Sequence, residues 1–135
     1  MVNPLHMKVF ARAESAEEVR AVLRGWLVGR VPARELGDAE LVATELVANS
    51  VRHGRLDASD VVRVRATEGD GMLHLEVEDP GRAGKPRRRE PDPLNGGLGL
   101  NVVDALSLHW GVGGDGATVV WADLPLSEDP PPALR

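Results

Sequence analysis

Cysteine is absent from the chain, which excludes disulfides and thiolate metal sites and fits a reducing cytoplasm. Long hydrophobic runs are missing as well. No stretch is long enough to span a bilayer, and Met1 to Phe10 lacks a cationic segment followed by an apolar one, so a soluble cytoplasmic protein with no membrane partner is expected. There is no excess of positive charge: the formal net charge is −5 and the acidic residues are spread along the chain. A surface that neutralises many duplex phosphates is therefore not expected, and neither is direct binding of nucleic acid. No internal repeat is visible.

What is present suffices for one core. A chain of 135 residues with 42% hydrophobic composition can bury a single core and is too short for two ordinary domains side by side. The expected domain covers residues 1–126, and residues 127–135, with three consecutive prolines, read as a disordered tail.

Local patterns divide the domain into elements. Met7 to Ala13 reads as a short strand, and Ser15 with Glu18 three residues later has the pattern of a capping box opening a helix through Trp26 to about Arg30, ended by Pro32. From Arg34 to His53 the composition is rich in Ala, Leu, Glu and Val, which predicts a long helix stopped at Gly54. Val61 to Thr67 and Leu73 to Val77 alternate apolar with polar residues around Gly69-Asp70-Gly71, the pattern of a hairpin with one buried face. Pro80 to Gly97 reads as a long loop, Leu98 to Leu106 as a third helix, and Leu108 to Val112 with Ala117 to Leu124 as a closing hairpin. This order predicts an α/β (α+β) two-layer sandwich, a mostly antiparallel mixed sheet covered on one face by three helices.

Three places along this frame carry candidate chemistry. On the long helix, Glu45, Asn49 and His53 are spaced four apart and share one face, with Leu41 and Arg52 alongside; Ala39, Ala43, Leu46, Val47 and Ser50 form another face suited to packing on the sheet. An Asn carboxamide oxygen is a hard ligand suited to Mg²⁺, and Glu45 could orient or deprotonate a nucleophile. A solvated helix face fits the same spacing. Glu78-Asp79-Pro80-Gly81 ends a strand with an acidic residue before a tight turn. A buried carboxylate there can accept a hydrogen bond from the exocyclic amine of adenine, and Gly81 permits close backbone approach to the base. An ordinary strand-ending turn has the same composition. Finally, Gly96-Gly97-Leu98-Gly99-Leu100 stands before a helix, where backbone amides and the helix dipole favour phosphate. It also reads as a simple flexible loop, and without a following Lys-Ser or Lys-Thr it is not a P-loop.

Together and in this order the three features are far more specific than any one. Glu45-Leu-Val-Ala-Asn49 resembles the N box, Asp79-Pro-Gly81 the first glycine box and Gly97-Leu-Gly99-Leu100 the second glycine box of the GHKL ATPase/kinase superfamily. The resemblance covers nearly the whole chain, and the run from Glu45 to Gly54 is most similar to the small anti-sigma-factor serine kinases. It implies the Bergerat ATP-binding fold, with ATP and Mg²⁺ as cofactors. It further implies Asn49 as the Mg²⁺ ligand, Glu45 as catalytic base, and Asp79 with Gly81 as the adenine-recognition pair. Gly97, Gly99 and Leu100 would hold phosphates, Thr118 would sit beside Asp79, and His53 would edge the pocket. The segment from Pro80 to Gly97 would be a lid whose Lys85, Arg87, Arg88 and Arg89 reach phosphate or an acidic partner, or form a solvated basic loop. The implied partners are a sigma factor and an anti-anti-sigma antagonist, with a homodimer through Met7 to Ala13 as an edge strand. Two functions stay open: a serine protein kinase acting on the antagonist, and a nucleotide-responsive module that sequesters a partner without phosphorylating it.

Overall fold

The computed structural model describes residues 4–81 and 99–127. The elements run β1 (Leu5–Phe10), α1 (Ser15–Leu27), α2 (Ala33–His53), β2 (Val61–Gly69), β3 (Met72–Asp79), α3 (Gly99–Leu106), β4 (His109–Gly113) and β5 (Thr118–Pro125). The strands form one five-stranded sheet in the order β1-β2-β3-β5-β4, with β1 and β4 at its edges. All four pairings are antiparallel, so among the described residues the sheet carries no parallel pair. The helices lie on one face, giving the two-layer α/β architecture expected from the element order.

Alternation along the strands decides which face is covered. Val62, Val64 and Ala66 on β2, Leu73, Leu75 and Val77 on β3, and Val120, Ala122 and Leu124 on β5 are all buried, while the residues between them point the other way. Against this surface α2 lays Leu36, Ala39, Val42, Ala43, Leu46 and Val47, and α1 adds Val19, Leu23 and Leu27. Helix α2 packs on α1 and α3 at its sides and on β3 and β5 beneath, so it occupies the centre of the layer. Glu40, although buried, is bridged by Arg24 at 3.2 Å and Arg20 at 3.4 Å from α1, so the interhelical seam holds a paired charge. The β2–β3 hairpin expected from the sequence turns at Asp70 and Gly71, whose positive φ of 54° and 71° are those of a primed turn.

Some boundaries differ from expectation. The capping box at Ser15 and Glu18 does not form. Glu14 occupies the cap position without a side-chain cap bond, and Ser15 is already helical and buried. Its hydroxyl donates instead to the Phe10 carbonyl, because β1 ends at Phe10 and the chain turns into α1 at once; the Ala11 amide N–H donates a hydrogen bond to the Asp60 carbonyl at 2.9 Å. Helix α1 stops at Leu27, and Pro32 begins α2 as its cap. At the other end Ser127 donates its amide to Glu35 Oε1 at 2.7 Å, while residues 128–135 of the expected tail lie outside the described residues.

Candidate functional site

The first group of candidate residues lies where β3 ends and β5 begins. The antiparallel register puts Asp79 directly opposite Thr118, and both point to the helix-covered side of the sheet, 7% and 5% exposed. They are polar residues continuing stripes that are otherwise Leu, Val and Ala. The turn after β3 fixes the carboxylate: the Gly81 amide donates to Asp79 Oδ1 at 2.7 Å. Gly81 has a φ of 81°, and a Cβ there would lie 2.9 Å from the Gly116 carbonyl oxygen. Only glycine fits both the left-handed backbone and the close approach of the β4–β5 turn. That turn was legible as a hairpin, but its role as the back wall behind Gly81 was not, since it depends on β3 and β5 being neighbours.

The second group lies on α2. Glu45, Asn49 and His53 share a stripe of intermediate exposure, between the fully buried positions Leu46, Val47 and Ser50 and the exposed Leu41 and Arg52. The stripe therefore runs along the boundary between the packed face of the helix and solvent. Arg52, placed alongside the stripe from sequence, comes within 3.9 Å of a Glu45 carboxylate oxygen, a long contact whose arginine is largely exposed. The helix stops at Gly54, the predicted position, where a Cβ would lie 2.4 Å from the Ser50 carbonyl oxygen. Helix α2 packs on both β3 and β5 and also on α3, so its polar stripe and the Asp79–Thr118 pair belong to adjoining elements.

Leu100, in the first turn of α3, is 6% exposed and joins the core, and α3 packs on α2. Gly99 is its first residue. Gly97, like the rest of residues 82–98 with Lys85, Arg87, Arg88 and Arg89, lies outside the described residues.

The Asn49 carboxamide oxygen is the hard donor that the α2 stripe would offer a cation beside a nucleotide. Asn49 Nδ2 is buried with no hydrogen-bond partner among the described residues, so that end of the carboxamide is not tied to a protein group. No group of three or more His, Asp or Glu among the described residues could hold a metal alone. A divalent cation at Asn49 would thus complete its shell from phosphate and water, as Mg²⁺ does.

Comparison with known proteins identifies the family and agrees with the fold. Residues 9–122 match the sequence profile of a family described as histidine kinase-like ATPase domain. An anti-sigma F factor of Geobacillus stearothermophilus is 27% identical over 115 residues, covering 77% of this chain and 78% of the relative. That of Geobacillus thermodenitrificans (strain NG80-2) is 30% identical over 114 residues, with the same coverage. Among solved structures, the RsbU and RsbW domains of a Mycobacterium tuberculosis protein superpose with a TM-score of 0.71 at 27% identity; the match covers 96% of this chain but only 34% of that one. A blue-light activated histidine kinase of Erythrobacter litoralis gives a TM-score of 0.57 at 25% identity, over 84% of this chain and 41% of its own.

Proposed function

The chain belongs to the histidine kinase-like ATPase domain family, and from that premise we propose that it is an ATP-dependent anti-sigma regulator, a serine protein kinase whose substrate is an anti-anti-sigma antagonist. The observation that carries the reading is the buried Asp79, opposite Thr118 and fixed by the Gly81 amide, on elements adjoining the Glu45–Asn49 stripe. The relatives named as anti-sigma F factors, at comparable length, support the regulatory role.

Each residue then has a task. Asp79 accepts a hydrogen bond from the exocyclic amine of adenine, and Gly81 lets the base lie against backbone. Guanine, with an oxygen at that position, is rejected. Thr118 flanks the aspartate, His53 borders the pocket, and Gly97, Gly99 and Leu100 shape the backbone that meets the phosphates. Asn49 would hold Mg²⁺, which when bound offsets the charge of the phosphates. Glu45 takes the proton from the substrate serine as its oxygen forms a bond to the γ-phosphorus; the bond to the β,γ-bridging oxygen breaks and ADP leaves. The site acts in the cytoplasm, and the position of β1 at the sheet edge supports a homodimer, for which sedimentation at micromolar concentration is the check.

Calorimetric titration with ATP and GTP, with and without Mg²⁺, tests the pocket. Selective, Mg²⁺-dependent ATP binding is expected, weakened by Asp79→Asn and Asn49→Ala. Glu45→Gln should reduce phosphoryl transfer by about 10²- to 10⁴-fold and leave ATP binding in place. Loss of binding in that variant contradicts its role as base, and absence of ATP binding by the wild type turns the reading to a module that sequesters its partner without transfer.

A further inference from the structure

The face of the sheet turned away from the helices carries a feature that the nucleotide site does not use. On β1 and β2 the register pairs Phe10 with Val61 and Lys8 with Arg63, and alternation puts all four side chains on this open face, opposite the buried Val9 and Val62. Like charges directly opposite on neighbouring strands repel each other. Elsewhere on this face the cation is paired: Arg65 is held by Glu78 at 3.1 Å and Glu76 at 3.6 Å. Glu78 stands directly opposite Arg63 in the register, yet its carboxylate binds Arg65. Lys8 and Arg63 form no ion pair among the described residues. The adjoining row is apolar and open, with Phe10 49% and Val61 38% exposed, and the Arg12 guanidinium lies 4.6 Å from the Phe10 ring centre, adding a third positive group.

We infer that Lys8, Arg63, Phe10 and Val61 form a docking strip for an extended, acidic segment of a partner protein. Complementarity specifies the segment. Rows on one face of a strand are about 7 Å apart, the distance between alternate side chains of an extended chain. A segment lying along β1 and β2 therefore presents an acidic side chain to Lys8 and Arg63 and an apolar one, two residues away, to Phe10 and Val61. A second copy lying face to face on this strip with the two-fold axis through it fits poorly, because cation would meet cation; a homodimer through the β1 edge leaves the strip open. Nucleic acid fits poorly too: the uncompensated cations are few and the whole chain carries −5, whereas phosphate backbones are held by many cations. The strip lies on the opposite face of the sheet from Asp79 and Thr118, so its occupancy is separable from ATP binding.

Fluorescence anisotropy of the full chain with a short labelled peptide, repeating the pattern glutamate-serine-leucine, tests the inference at low ionic strength. Binding is expected to weaken by about tenfold when the glutamates become glutamine, and by a similar factor in Lys8→Glu/Arg63→Glu. Lys8→Gln alone, which preserves the ladder, should show a smaller loss and guards against a double variant that misfolds. Amide shift changes on peptide addition should centre on residues 8–10 and 61–63, with ATP titrations unchanged in every variant. Equal binding of the glutamine peptide, shift changes centred elsewhere, stronger binding of a single-stranded oligonucleotide than of the peptide, or self-association abolished by the same substitutions would each overturn it.

Discussion

The two faces of the sheet follow opposite rules, and the exceptions to each rule are the residues on which the two proposals rest. On the covered face Val, Leu and Ala fill nearly every position, so the exceptions are polar: Asp79 and Thr118, buried side by side at one end. A carboxylate in such a place costs desolvation unless something offsets it, and here one backbone amide supplies part of the compensation. On the open face polar residues are the norm and mostly balance each other across strands. His74, Asp123 and His109 sit in one row, with the Asp123 carboxylate 2.5 Å from His74 Nδ1 and 2.8 Å from His109 Nε2. Exceptions there include, among the described residues, the unpaired cations Lys8 and Arg63 beside the exposed Phe10 and Val61. A buried acid suggests a small ligand enclosed by the fold, whereas an unbalanced surface charge suggests a partner that arrives from outside.

The sharpest test of the covered face is to remove apolar volume from its centre. Leu75 has no exposed surface, and Leu75→Ala should cost about 2–5 kcal/mol in urea unfolding, whereas a truncation of its open-face neighbour Glu76 should cost far less. Next in size is Gly81→Ala. A Cβ at 2.9 Å from the Gly116 oxygen, on a backbone with positive φ, should cost about 1–3 kcal/mol and weaken ATP binding as well, because the turn that holds Asp79 must move. Retention of full ATP affinity in that variant would separate the turn from the pocket.

Much of the fold was legible because its signals are local. Leu73, Leu75 and Val77 against His74, Glu76 and Glu78 announce a strand with one buried face, and Asp70-Gly71 announces its turn. The stripe of Glu45, Asn49 and His53 follows from helical periodicity alone, as does the packing face from Ala39 to Ser50. What the sequence did not reveal depends on which strands are neighbours. Thr118 was expected beside Asp79 only through the family resemblance, and His74 meets Asp123 only because β5 inserts between β3 and β4, an order that no short-range pattern encodes. Ser15 illustrates the converse: its capping pattern is local, but the sharp exit from β1 redirects its hydroxyl to Phe10.

The open-face row supplies a smaller, pH-dependent effect. Burial disfavours the charged His74 ring, but hydrogen bonds to Glu76 and Asp123 outweigh it and hold the pKa above the ordinary histidine value. Both ring nitrogens face carboxylate oxygens, at 2.5 Å and 2.9 Å, an arrangement that suits the doubly protonated ring. A pKa raised on folding stabilises the native state fully below the unfolded value of about 6.5 and loses that contribution as pH rises through the folded value. Thermal unfolding of the wild type should therefore fall relative to His74→Gln as pH climbs from 6 upward, and parallel curves for the two would mean the row contributes nothing. Arg65, beside Glu76, and His109, on Asp123, share these carboxylates, so both should be kept intact in the comparison.

The smallest expected change has the opposite sign. If Lys8 and Arg63 repel each other without compensation, removing one of the charges should stabilise the protein, whereas substitutions at the balanced positions should not. Lys8→Gln is expected to add a few tenths of a kcal/mol, about 0.2–0.5, and Lys8→Glu somewhat more because it places a carboxylate opposite Arg63. Unfolding in urea at low ionic strength measures the gain, and added salt should erase it, since the side chain of Lys8 is exposed. A gain that persists in high salt would assign the effect to strand propensity instead of charge. A loss of stability would mean that Lys8 is satisfied in solution, and the electrostatic argument for a docking strip would go with it.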